Sequence, residues 1–587
     1  MKRLNKSVHD RTGKTPAAEA LFFQAQSLQN KGDAKGAQPI YERLLALEPN
    51  HAAALLNLGL IAQQLGEHEL AETLLNRAIR INPDAPHYHL NLCKSLALLG
   101  KTDEAIAHYE TALRLKPDYP LAHNNLATLL LSQGRLEGAI EHFRQALRLQ
   151  PDYDSALLGL GKALTQADQA SDAVTLFRYA LRLNPNKDTL YTGLAAALKN
   201  LGKVSEVFAY LGQALRLNPR NKDAREILGY MHYANGQLRE ARELYEETLK
   251  LFPDAVETHT NHSLVLLANG EIDQGWAEYD WRLKQNDWRR GFPQPFWNGE
   301  NLAGMTLLIW GEQGVGDELL FASMFPDAIA AAGRCVIECE PRLVSLFARS
   351  FPSAEVIPRT VPPASRTGAP DIHLQSAAGS LARWLRPSLD QFPAHAAYLV
   401  ANPARVAFWK ERLAELGDQP KVGISWRSRH MGLERARYYT QLSEWGPILS
   451  VPNATFVNLQ YDNCAAELAD AEALFGVKIH VWDDIDLMND LDEVAALTAA
   501  LDLVVSAQNA VACIAGGLGL PVWSIAPHKT AWPMLGSAGM PWFPSMRLFT
   551  RTSGQPWDTV IEAIAQDLMA TTAAKAVPEA PPLPAET

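Results

Sequence analysis

The residues best suited to chemistry stand in LLIWGEQGVGDELLF, Leu307 to Phe321. Apolar Leu307 to Trp310 read as a buried strand, and the glycine-rich turn after it runs into an apolar-periodic helix beginning near Asp317. Gly311, Gly314 and Gly316 permit close approach of a ligand or a positive φ, and the helix start offers N–H groups at the positive end of a dipole. Asp317 is the side chain of this turn placed for acid–base work. A GxGD turn also fits a doubly wound domain whose glycines serve packing and whose Asp caps a helix.

Two further groups suit an anion. WRSRHMGLERAR holds Arg427, Arg429, Arg435 and Arg437 against one Glu, and Arg427 follows a strand at the edge where open α/β sheets bind ligands. Guanidinium forks match phosphate or carboxylate oxygens; the alternative is a solvated loop paired with the acidic patch DDIDLMND. In LDLVVSAQNAVACIAGGLGLPVW, Gln508 and Asn509 stand at a helix start whose free N–H groups suit a donor phosphate. Asp483, Asp484 and Asp486 suggest Mg²⁺, but Asp490 with Glu493 reads as a capping box and no ligand set converges, so no metal and no cofactor are expected.

These groups need strands and helices to hold them. From Met305 onward the pattern alternates, with strands near 305–310, 335–340, 355–358 and 371–375, then a second series near 421–426, 455–460, 478–482, 503–507 and 521–526. Two such βα series predict two doubly wound domains, 303–418 and 419–570, facing a cleft. A last helix near 557–570 precedes an Ala/Pro tail, 571–587, expected to be disordered.

The preceding half is periodic. Pro49, Pro83, Pro117, Pro151, Pro185, Pro219 and Pro253 are 34 residues apart, and glycines recur at Gly32, Gly66, Gly100, Gly134, Gly202, Gly236 and Gly270. Small residues at Ala37, Ala71, Ala105, Ala139, Ala173 and Ala241 let paired helices approach, Gly ends the first helix and Pro stops the second. Val207 and Asp168 depart from the pattern. After a loose N-terminus, 1–17, this array covers 18–285 as seven units and a terminal eighth. It resembles the tetratricopeptide repeat, which implies a superhelix whose concave side receives an extended peptide or partner helix. Asn57, Asn91, Asn125 and Asn261 share one repeat position and resemble the asparagine ladder of the O-GlcNAc transferase family, implying a sequence-tolerant peptide groove. The other reading is that these asparagines bridge neighbouring repeats. At the junction, 286–302 and the unit before it, Trp276, Trp281, Trp288 and Trp297 predict a stiff packed join ahead of carbohydrate stacking.

GEQGVGDELLF, SWRS and SAQNAVACIAGGLGLPVW together resemble the heptosyltransferase-like glycosyltransferases. The expected fold class is therefore an α-helical tetratricopeptide solenoid followed by an α/β GT-B fold of two Rossmann-like domains. The resemblance makes Asp317 the catalytic base, the turn at Gly314 and Gly316 part of the donor site, Arg427 or Arg437 the donor-phosphate cation, and Gln508 and Asn509 donor contacts. The family's D-T-x-x-x-H motif reads Gln508, Asn509 and Cys513 here, which removes a carboxylate and an imidazole. Joined to the array, the pattern resembles bacterial protein glycosyltransferases, including those that modify flagellin. It implies a metal-independent inverting O-glycosyltransferase with a nucleotide-sugar donor and a protein acceptor. A non-catalytic scaffold with a degenerate transferase fold and a lipopolysaccharide glycosyltransferase remain alternatives. A net charge of −11 argues against a nucleic-acid coat or a broad membrane surface. Five scattered cysteines without zinc spacing, no apolar leader and no run long enough to span a bilayer predict a cytoplasmic protein.

Overall fold

The computed structural model describes residues 16–285, 290–393, 397–429, 438–527, 530–551 and 555–576. Trp288, Arg435 and Arg437 lie outside the described residues, as do the terminal stretches 1–15 and 577–587. The chain divides into two compact units, 1–201 and 202–587.

The first unit is helical. It comprises α1 (Pro16–Asn30), α2 (Ala34–Leu47), α3 (Ala52–Gln64), α4 (His68–Ile81), α5 (Pro86–Leu98) and α6 (Thr102–Leu115). These are followed by α7 (Pro120–Ser132), α8 (Leu136–Leu149), α9 (Asp154–Gln166), α10 (Ala170–Leu183) and α11 (Asp188–Asn200). Ala37, Ala71, Ala105, Ala139 and Ala173 are fully buried, so the small residues of the period sit where paired helices touch. The glycine closing each first helix is left-handed, and Asp168 takes that conformation at φ 58° where the period lacks Gly. The prolines have a use beyond stopping a helix. The fourth residue of the next helix reaches back to the proline carbonyl: His89 Nε2 lies 3.0 Å from Pro83 O, His123 Nε2 3.2 Å from Pro117 O, and Tyr191 Oη donates to Pro185 O at 3.1 Å.

The second unit continues with α12 (Val204–Leu217), α13 (Lys222–Ala234), α14 (Leu238–Leu251), α15 (Val256–Ala268) and α16 (Ile272–Tyr279). The same latch recurs from Arg225 to Pro219 O and from His259 to Pro253 O, each at 2.8 Å. Two parallel sheets follow. The first joins β1 (Thr306–Trp310), β2 (Arg334–Cys339), β3 (Glu355–Pro358) and β4 (Leu374–Ala377) in the order β3-β2-β1-β4. The second joins β5 (Lys421–Ser425), β6 (Thr455–Asn458), β7 (Ile479–His480), β8 (Leu503–Ala507), β9 (Val522–Ala526) and β10 (Met546–Thr550) in the order β10-β9-β8-β5-β6-β7. Counted from its own first strand this is 3-2-1-4-5-6, the doubly wound order with its crevice at the carboxyl ends of the central strands. Every residue of β1, β5 and β8 is buried, as strands covered by helices on both faces require. The edge strand β10 was not expected from the sequence; MRLFT pairs with β9 alone, and Arg547 breaks its apolar run. The last helix, Asp558–Ala576, carries through 571–576, so the expected disorder does not begin at 571.

The boundary between the two compact units falls inside the sixth repeat, and tryptophan packing explains why the last repeats go with the sheets. Trp276 is 1% exposed, donates Nε1–H to Arg386 O at 3.1 Å, and meets Trp532 and Trp542 edge-on. Gly270, in the turn after α15, approaches Gly536 so closely that a Cβ on Gly536 would stand 2.8 Å from the Gly270 Cα. Trp297 is buried beside Trp384, and Trp281 lies flat on His259 at 3.7 Å. The tryptophans of the junction that are described are packing residues.

Candidate functional site

The turn after β1 is held from below by buried charge. Glu312 accepts from Arg282 Nε at 2.8 Å and from Gly379 N at 2.9 Å, which ties the turn to the segment following α16. Gln313 donates to Tyr279 Oη at 2.9 Å and carries the positive φ, 61°, that was expected of a glycine. The glycines act through close approach instead: a Cβ on Gly311 would lie 2.5 Å from Glu318 Cδ. The helix after the turn, α17 (Val315–Phe321), begins two residues before Asp317, with Gly314 as its cap. Asp317 is thus its third residue, partly exposed, and its Oδ2 accepts the Gly314 N–H at 3.2 Å. Behind it the buried Glu318 is pushed up to about 7 by burial, against the pull of Arg359.

A cleft of about 500 Å³ opens at the carboxyl ends of both sheets. Gly314, Gly316, Asp317 and Arg342 line it from the first α/β domain, and Ser428, Arg429, Met488, Gln508, Asn509 and Cys513 from the second. Apolar walls come from Leu320, Val494, Ile514, Met540 and Phe543, with Trp532. The size and the mixed lining suit a small-molecule site. Among the described residues no His/Cys/Asp/Glu group is arranged to hold a metal ion.

Arg427 is not in this lining. Its guanidinium is paired with both Glu467 and Asp462, and these contacts, the Glu467 hydrogen bonds first, raise its already high pKa further. The expectation that it faces a phosphate is corrected: two carboxylates on the segment after β6 draw it away, and Arg429, two residues on, enters the cleft instead. Nor does Arg427 pair with the acidic patch. Asp484 there binds Arg412 at 2.6 Å, and Asp486 accepts from the Met488 and Asn489 N–H groups at 3.0 Å each.

Asn509 lines the cleft but is already engaged. Its Oδ1 accepts from Val511 N at 3.0 Å and Ala512 N at 3.3 Å, and its Nδ2 donates to Ser425 Oγ and to Arg427 O. Two of the helix-start N–H groups expected to be free are therefore capped by the protein itself. Gln508 stands beside it in the lining. Burial, and then the negative charge of Asp317, push the Cys513 thiol up to about 12. A neutral thiol thus lines the cleft at Cys513.

The asparagines of the array all stand sixth in the first helix of their repeat and are partly exposed. In the first unit, Asn57 Nδ2 donates to Tyr41 Oη at 2.9 Å, Asn91 Nδ2 to His87 O at 2.7 Å, and Asn125 Oδ1 accepts from Asn124 at 3.2 Å. Asn261 holds the equivalent place in α15 of the second unit. Asn57 thus bridges to the preceding repeat, as the second reading of the pattern expected. Arg342, Met488 and Trp532 were not legible as lining residues because none lies in a recognisable motif, and Arg429 belongs to the arginine group read from the sequence although Arg427 or Arg437 was preferred there.

Comparison with known families places the helical half. Residues 223–252 match the tetratricopeptide repeat profile, and residues 2–227 match that of the cilia and flagella-associated protein 70 C-terminal domain. The helix pairs are tetratricopeptide repeats. Among curated proteins, the chain is 39% identical over 319 residues to Protein FlbA of Caulobacter vibrioides (strain ATCC 19089 / CIP 103742 / CB 15), covering 52% of this chain and 53% of FlbA. The chain thus spans about half the length of the curated relative it matches. Solved structures with similar helices include a tetratricopeptide repeat protein from Parabacteroides merdae ATCC 43184, 19% identical with a TM-score of 0.38 over 43% of this chain and 100% of that one. MamA is 23% identical with a TM-score of 0.27, over 28% of this chain and 91% of its own.

Proposed function

We propose that the protein is a metal-independent, inverting O-glycosyltransferase with a GT-B arrangement, which moves a sugar from a nucleotide-sugar donor to a Ser or Thr of a protein held by the repeats. The observation that carries this reading is the position of Asp317 on the wall of a cleft at the carboxyl ends of two doubly wound sheets. In the proposed step the Asp317 carboxylate takes the acceptor hydroxyl proton, the hydroxyl oxygen bonds the anomeric carbon, and the nucleotide phosphate leaves with the glycosidic electron pair. Arg429 replaces Arg427 as the cation that meets the leaving phosphate. The packing of α15 and α16 against the α/β domains supports an acceptor delivered by the repeats. Flagellin is the first acceptor to test, from the resemblance to flagellin-modifying enzymes, and the cytoplasm is the proposed compartment.

Asp317→Asn keeps the shape of the side chain and the oxygen that accepts from Gly314. A positioned base contributes about 10²–10⁴-fold, so acceptor mass shift should fall by that order while melting temperature and acceptor pull-down stay unchanged. Undiminished transfer by the variant would exclude Asp317 as the base.

Three observations favour a second reading, a scaffold with an inert cleft: the neutral Cys513 thiol, the Arg427 ion pairs and the self-capped helix at Asn509. It predicts normal acceptor capture without transfer from any nucleotide sugar by the wild type.

A further inference from the structure

Arg342 belongs to no motif, yet its guanidinium is held at the cleft from both sides. It sits in the turn Pro341–Leu343 just after β2, the last link of a chain of opposite charges that starts in the interior. Buried Glu318 pairs with Arg359 at 2.9 Å, Arg359 with Glu340 at 3.2 Å, and Glu340 with Arg342 Nε at 2.8 Å. Glu340 N also donates to Glu318 at 2.9 Å, which fixes the start of the turn that carries Arg342. Across the cleft, Arg342 Nη1 donates to the Met488 carbonyl of the second α/β domain at 2.9 Å. Arg429 reaches the same methionine from the loop after β5, its Nη1 3.7 Å from the sulfur. Two guanidiniums, one from each α/β domain, therefore contact the same residue, and both arginines line the cavity that Asp317 lines.

Neither contact at Met488 matches what a guanidinium binds best. A thioether is a weak acceptor and a single neutral carbonyl balances no charge, whereas a phosphate offers several anionic oxygens in a geometry that fits the fork. Glu318, Arg359, Glu340 and Arg342 are two carboxylates and two guanidiniums that balance one another, whereas Arg429 makes no ion pair among the described residues, so the charge beside the cleft open to another anion is the one Arg429 adds.

We propose that Arg342 and Arg429 form a clamp for a phosphate ester, with Arg342 supplying the half that comes from the first α/β domain. The identity of the ester as a nucleotide rests on the transferase reading; the anion site itself does not. An anion held this way would tie the two α/β domains together, because each contributes one of its cations.

The test is isothermal titration calorimetry of the full chain with UDP, CMP and inorganic pyrophosphate, each at low and moderate salt. At least one of the three should bind, more weakly as salt rises, and Arg342→Ala and Arg429→Ala should each weaken it about tenfold or more. Arg342→Lys keeps the charge without the fork and should recover part of the loss, and Arg334→Ala, which removes an exposed cation outside the cleft, should leave binding at the wild-type level. Circular dichroism and melting establish that each variant is folded. Preference for UDP or CMP over pyrophosphate identifies a nucleotide site, and the reverse identifies a free diphosphate site. Unchanged affinity in folded Arg342→Ala, or no binding of any of the three by wild type, overturns the clamp. Transfer that persists with unchanged affinity in Arg342→Ala removes the clamp and leaves the transferase standing; lost affinity in a protein that transfers no sugar keeps the clamp without the transferase.

Discussion

At the scale of residues, the cleft shows how a charged group is assigned by its neighbours and not by its place in a motif. Arg427 and Arg429 leave the same strand end, but Arg427 meets Asp462 and Glu467, while Arg429, among the described residues, meets a methionine sulfur. Removing Arg427 leaves the partly buried Asp462 and Glu467 carboxylates without their cation. Arg427→Ala should therefore cost roughly 1–3 kcal/mol of stability, read as a lower melting temperature, while anion affinity at Arg429 changes less than in Arg429→Ala. A loss of anion binding as large as that of Arg429→Ala, without a change in melting, would return Arg427 to the site. Cys513 makes the same point from the other side, because a thiol titrating near 12 offers no base at neutral pH wherever it stands.

At the scale of elements, the repeats carry a pH response that follows from paired histidines. His89 of α5 and His108 of α6 face each other with Nδ1 atoms 2.9 Å apart, and His123 of α7 and His142 of α8 repeat the contact at 3.0 Å. Burial lowers the pKa of His108, His123 and His142, and the facing histidine lowers His108 and His142 further, while Glu104, Glu110, Asp118 and Glu141 oppose the shift. The unfolded chain takes up protons near the ordinary 6.5, above the folded values of these three groups. Their contribution to stability is complete above that pH and is lost as pH falls through the folded values. The helical unit should melt at a lower temperature near pH 5 than near pH 7.5, and His108→Gln with His142→Gln should flatten the difference. A melting temperature that holds or rises on acidification would refute this account.

At the scale of the molecule, the last repeats and the α/β domains form one compact unit from Gly202 onward. Trp276 and Arg282 are 1% and 2% exposed against residues of the α/β half, so a cut at 300 uncovers Phe321, Trp532 and Glu312. A fragment of residues 202–587 should unfold in a single cooperative transition, whereas 300–587 should melt well below it or aggregate. Equal melting of the two fragments would show that the tryptophan packing is dispensable. Acceptor capture is accordingly better mapped with 1–201 against 202–587 than with a division at the Trp-rich segment.

The 34-residue period, the helix pairs, the two βα series and the turn that carries Asp317 were all legible in the sequence, because each depends on local spacing: 3.6-residue and two-residue periodicity, Gly where the backbone turns, Pro where it stops. Nine of the ten strands among the described residues follow from that pattern, and β10 escaped it because an edge strand with one neighbour needs no continuous apolar run. The site was legible only in part. Gly314, Gly316, Asp317, Gln508 and Asn509 reach one cleft as their places after β1 and β8 required. The occupation of Arg427 by Asp462 and Glu467, the arrival of Arg342 and Arg429 at Met488, and the capture of α15 and α16 by Trp532 and Trp542 join residues far apart in the chain. Local spacing has no term for such partners. Only folding decides which opposite charge or ring lies nearest, and electrostatic and packing energies follow that distance.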